Sequence, residues 1–118
     1  VNAIYSAETR KLGVEIPEES FARVFPGIFR SFVREYSGQT DSSDEQDLRM
    51  WREITRRVYG NLPGLSPIPF DTWFETLYRR FGEADTWRCY DDVFPVLRDL
   101  RRRGILLAIV SNWDSRLR

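Results

Sequence analysis

The sequence predicts a mostly α-helical chain that turns, near its C-terminal end, into the start of an α/β core. Three observations carry that expectation. Apolar residues recur every three or four positions through the first eighty-odd residues, the period of one helix face. Gly and Pro punctuate these runs where helices end or break. Behind Gly104, the run ILLAIV (105–110) shows no alternation, as a strand covered on both faces of a parallel sheet does.

The elements follow in order. Val1 to Leu12 read as a helix with Ile4 and Tyr5 on one side and Gly13 as its stop. Pro17 suits the first turn of a second helix, where its missing N–H costs nothing. That helix carries Phe21, Val24, Phe25, Ile28, Phe29, Phe32, Val33 and Tyr36 on one stripe. Pro26 and Gly27 fall inside it and predict a kink or two shorter helices. SGQTDSSDEQD (37–47) is a polar linker, and Ser42 with Glu45, or Ser43 with Gln46, has the spacing of a capping box. The next helix carries Leu48, Trp51, Ile54 or Thr55, Val58 and Tyr59, and stops near Gly60. NLPGLSPIP (61–69), with its prolines, is a loop. Phe70, Trp73, Phe74, Leu77, Tyr78 and Phe81 mark a fourth helix, ended by Gly82.

The pattern then changes. After the short connection EADTWRCY (83–90), Asp91 or Asp92 can cap a helix containing Val93, Phe94, Leu97 and Leu100, with Pro95 tolerated in its first turn. Arg101, Arg102 and Arg103 meet the negative end of its dipole, and Gly104 ends it. The strand 105–110 cannot form a sheet alone, because its backbone donors and acceptors need partners. The rest of the sheet is therefore expected outside this chain. The expected division is a helical domain over 1–84 and the start of an α/β core over 85–118.

Composition narrows the function classes. Among 118 residues, 42% are hydrophobic and 14% aromatic, enough for a packed core. Eighteen basic residues balance eighteen acidic ones, which argues against a nucleic-acid or membrane surface. All but one of the basic residues are Arg, the exception being Lys11. The absence of His excludes His-based catalysis and His-ligated metals. Cys89 is the single cysteine, so no internal disulfide forms, and a cytoplasmic location is expected. It has no His partner and reads as inert packing. No apolar run approaches the roughly 20 residues of a membrane span. The first residue, Val1, favours a piece of a longer chain.

Ser111 and Asn112 stand at the carboxyl end of the predicted strand, the edge at which open α/β sheets bind ligands. Their hydroxyl and amide can donate to an anionic oxygen without adding charge. Asp114 can cap a helix from Ser115, whose free N–H groups would add to an anion site. The same residues are also ordinary turn formers after a strand. Trp113 either packs against the core or stacks on a substrate. The aromatic stripes of Phe21, Phe25, Phe29, Trp51 and Trp73 read as helical core, with a few lining a pocket. Asp91 and Asp92 suit helix capping better than a metal pair, because no third ligand is close in sequence.

The stretch DDVFPVLRDLRRRGILLAIVSNWDSRL (91–117) resembles the second-motif region of haloacid dehalogenase-like hydrolases, in the subgroup with S-N-aromatic-D-x-R-L. VNAIYSAETRKLGVEI (1–16) is similar to the helix after the first motif of that subgroup. The resemblance implies a Rossmann-like α/β core with a helical cap, the cap being residues 1–84. It implies a phosphatase that forms an aspartyl-phosphate with Mg²⁺ on a small phosphorylated substrate; some members instead displace halide without a metal. Ser111 would hold the transferring phosphoryl group and Asn112 would sit beside the substrate. The nucleophile would lie upstream of Val1, and the Lys and metal-binding acids downstream of Arg118. Lys11, in the first helix, is not that Lys. The chain alone is then expected to be inactive. The alternative is a helical binding or regulatory module, or a scaffold of this type without catalysis.

Overall fold

The computed structural model describes residues 1–36 and 43–108. Among them are five helices, α1 (Asn2–Lys11), α2 (Glu18–Tyr36), α3 (Asp44–Gly60), α4 (Phe70–Phe81) and α5 (Val93–Arg102), with 3-10 turns at Pro63–Leu65 and Ala84–Thr86. No strand occurs among the described residues.

Local chemistry sets the helix ends. Gly13 and Gly104 follow α1 and α5 with φ of 86° and 74°, a backbone conformation that a side chain would strain. Ser43 caps α3, its Oγ accepting from Gln46 N at 3.2 Å, so the second of the two capping registers is the one used. Asp92 holds the N-cap position of α5, but its side chain makes no capping hydrogen bond. The expected break in α2 does not divide it: one helix runs from Glu18 to Tyr36 with Pro26 inside. Ala22, whose carbonyl loses its helical donor to the proline, is exposed, so water can replace that bond.

The first four helices pack in a closed ring, α1 and α3 each lying against both α2 and α4. Their shared core holds Tyr5, Phe21, Val58, Trp73 and Leu77. The loop after α3 contributes to it as well: Leu65 is fully buried and Ile68 nearly so. Tyr59 donates its hydroxyl to Ile68 O at 2.7 Å and pins that loop down. Ser6 does the same for the α1–α2 connection, donating to Ile16 O at 2.7 Å. Not all of the predicted apolar stripe is covered. Val33, Tyr36 and Leu48 are exposed, toward the ends of α2 and α3 that flank the linker.

Polar contacts then set the register of the ring. Thr9 Oγ1 donates to Tyr5 O at 2.7 Å and accepts from Trp73 Nε1 at 2.8 Å. Both residues are fully buried. Outside, Arg57 grips Glu35 of α2 through two parallel hydrogen bonds of 2.9 and 3.0 Å and also bonds Glu53. Those bonds hold the Glu35 carboxyl below its ordinary range. Arg52 pairs with Asp71 of α4 and lies 5.1 Å from the Phe74 ring centroid.

Beyond residue 84 the structure differs from expectation. α5 buries none of its residues, and Phe94, Val96 and Leu97 are exposed. Ile105–Ala108 form no strand, and Leu106 is 97% exposed. The reason is physical: a strand needs a neighbour to take its N–H and C=O groups, and the described residues supply none. Residues 109 and 110 lie outside the described residues.

The Thr9–Trp73 hydrogen bond gives a direct stability test. Thr9→Val leaves the indole N–H buried without its acceptor and should cost about 1–3 kcal/mol in urea unfolding. Thr9→Ser, which keeps the oxygen, should lose much less. A loss in Thr9→Val no greater than that in Thr9→Ser would show that the hydrogen bond contributes little.

Candidate functional site

The four-helix ring encloses an apolar pocket of about 190 Å³. Tyr5 from α1, Phe25 and Phe29 from α2, Trp51 from α3, and Phe74 and Phe81 from α4 line it. The spacing that makes each helix amphipathic also aims these rings at a common centre. Phe25 and Phe29 stack 5.9 Å apart at 12°, and Phe29 and Trp51 6.4 Å apart at 18°. Together they make a series of near-parallel rings. Tyr5 closes the inner end, with ring centroids 5.7 Å from both Phe25 and Phe81.

Every side chain lining this pocket among the described residues is uncharged. Burial pushes the Tyr5 hydroxyl up to about 12, partly opposed by its hydrogen bond with Thr55. Tyr5 therefore stays protonated at neutral pH and is no general base. The pocket can bind and shield; its lining offers no nucleophile and no acid–base pair.

Charged groups gather elsewhere. Glu8 is buried, and its carboxylate meets Lys11 at 2.7 Å and Arg80 at 3.5 Å. Arg80 also binds Glu83 and Asp85, so this network ties α1 to the end of α4. Lys11 is thus engaged within α1. Among the described residues, no group of three or more His, Cys, Asp or Glu could hold a metal ion. Asp91 pairs with Arg88 at 3.4 Å. Arg102 and Arg103 pair with Asp99, as a solvated helix end would. Cys89 is exposed, which corrects its reading as a packing residue. No described helix is long and apolar enough to cross a membrane.

Ser111 and Asn112, the predicted phosphoryl-binding pair, lie outside the described residues, as do Trp113 and Asp114. The pocket itself was only half legible. The stripes named its rings, but not that Phe25, Phe29 and Trp51 line a cavity while Phe21 and Trp73 fill the core. The sequence carries no signal for this difference; only the structure places these three outside the buried positions of α2 and α3.

No family model matches the sequence. The chain is nevertheless similar over nearly its whole length to curated relatives. It is 26% identical over 119 residues to haloacid dehalogenase-like hydrolase domain-containing protein 3 of Homo sapiens, covering 96% of this chain and 45% of that protein. The Bos taurus protein of the same name is 23% identical over 122 residues, covering 99% of this chain and 47% of that protein. An uncharacterized protein of Saccharomyces cerevisiae is 27% identical over 112 residues, with 93% and 35% covered. The similarity to proteins of that name agrees with the resemblance carried by the stretch 91–117. The chain spans about half the length of the relatives of that name.

Burial of Tyr5 makes stability depend on alkaline pH. Its folded value is raised, so the unfolded chain releases the proton first, near its ordinary value of about 10. The contribution is whole below that pH and declines toward about 12, by roughly 1.4 kcal/mol per pH unit. Tyr5→Phe should flatten this decline in denaturant melts run between pH 9 and pH 11. An unchanged slope would place the alkaline transition on other groups.

Proposed function

We propose that this chain is part of a haloacid dehalogenase-like phosphatase acting on a small phosphorylated metabolite in the cytoplasm. The observation that carries the reading is the similarity, over 96% of the chain, to a protein named as a haloacid dehalogenase-like hydrolase domain protein. In this reading residues 1–84 are the helical cap and residues 85–118 begin the α/β core. The exposed face of α5, with Phe94 and Leu97, and the exposed run from Ile105 then belong against the remainder of that core.

The proposed chemistry is a two-step displacement. A carboxylate oxygen outside this chain attacks phosphorus, and the bond from phosphorus to the leaving alcohol breaks. Water then attacks the aspartyl-phosphate and releases inorganic phosphate. Mg²⁺ belongs to the proposal as the charge partner of the phosphoryl oxygens. No group among the described residues fits it, and no step here is routed through it. Ser111 supplies one oriented hydroxyl to the phosphoryl group and Asn112 an amide beside it. Neither adds charge, so each favours the more negative transition state only through its dipole.

The test is steady-state kinetics on the complete hydrolase. Ser111→Ala should lower kcat/KM roughly 10- to 1000-fold, the range between a neutral and a charge-assisted hydrogen bond, with an unchanged melting temperature. Unchanged kcat/KM with a lowered melting temperature would make Ser111 a turn residue and remove it from the site.

A further inference from the structure

We propose that the pocket enclosed by α1–α4 is a binding site for an uncharged, flat, apolar molecule of about one aromatic ring. The proposal stands on the helical bundle alone, so its failure and that of the hydrolase reading are separate events.

Three features of the pocket select this ligand class. The first is size. The volume is about 190 Å³, and an apolar protein cavity of about 150 Å³ suffices to hold benzene. One ring with a small substituent therefore fits, whereas a nucleotide or a large sugar does not. The second is shape. Phe25, Phe29 and Trp51, with interplanar angles of 12° and 18°, form a series of near-parallel rings. A planar ligand can lie against them at normal stacking distance. The third is charge. No ionised side chain lines the pocket among the described residues. The Tyr5 hydroxyl is engaged with Thr55. A carboxylate or ammonium entering here would leave its hydration shell without a charged side chain to meet it.

The lining also separates this site from the other apolar surface of the molecule. Phe94 and Leu106 are exposed on and after α5, outside the pocket. Leu77, by contrast, is 2% exposed and faces the pocket, so a larger side chain there would take up its volume.

Toluene is the probe, with benzoate as its charged counterpart, titrated into the 118-residue chain acetylated at Val1, so that no α-ammonium stands at the pocket mouth. Saturation transfer to the toluene methyl protons reports binding, and thermal melts report linkage. At ten times its Kd, toluene should raise Tm by roughly 3–8 °C, and benzoate at the same concentration should not. Leu77→Phe should weaken toluene binding at least tenfold. Should that variant fail to fold, Val1→Phe, at the exposed mouth, serves the same purpose. Phe94→Asp should leave the response intact. Absence of toluene binding, equal binding of benzoate, an unaltered response in the filled variants, or loss of the response in Phe94→Asp would each overturn the proposal.

Discussion

Everything ordered in this bundle depends on the seating of one side chain, Trp73. Its indole N–H donates to Thr9, 64 positions earlier in the chain, and Thr9 is itself held by its bond to the Tyr5 carbonyl. The ring lies 5.7 Å from Tyr5 of α1, 6.3 Å from Phe21 of α2 and 5.7 Å from Tyr59 of α3. One residue of α4 thus touches each of the other three helices. A fully buried indole brings a large apolar area, but area alone is non-directional. The hydrogen bond adds direction, because a buried N–H without an acceptor is costly. That constraint fixes the rotation of α4 against α1, and with it the approach of Phe74 and Phe81 to Tyr5.

The pocket is a consequence of that arrangement. Tyr5 meets Trp73 of the core and also Phe25 and Phe81 of the pocket lining, so one ring belongs to both core and cavity. Charge is kept to the periphery. Arg57 joins α2 to α3, Arg52 joins α3 to α4, and Arg80 joins α4 to Glu8 of α1. The Arg57–Glu35 and Arg52–Asp71 pairs are partly solvated and contribute little each, whereas Glu8 is buried and depends on its cationic partners. Their positions fix which helix faces meet, and they leave the pocket lining to uncharged side chains.

Periodicity made the helices readable, because each needs an apolar face at 3.6-residue spacing and each run in this sequence shows one. Gly13, Gly82 and Gly104 marked three ends to within two residues. What escaped the reading was of another kind. Thr9 is a polar residue on a helix, and nothing local says that its partner is Trp73. Leu65 and Ile68 sit between prolines, where no period exists to show that they are buried. Pro26 suggested a division of α2, yet tertiary packing of Phe21 and Phe32 at either end keeps the helix whole. The strand at 105–110 was a reading of burial, and burial requires neighbours that Ile105–Ala108 do not have among the described residues. The Ser111–Asn112 pair was legible as a motif only, since its geometry lies outside what the structure describes.

The central claim is that α1–α4 form one cooperative unit seated on Trp73 and that α5 is not part of it. Native-state hydrogen exchange on the 118-residue chain tests it most directly. The account predicts that core amides of α1, α2, α3 and α4, such as those of Thr9, Phe32, Val58 and Leu77, share one opening free energy, equal to that of global unfolding. Amides of Val93–Arg102 should exchange far faster. Protection of α5 equal to that of the bundle, or an α1 that opens independently of α4, would contradict it.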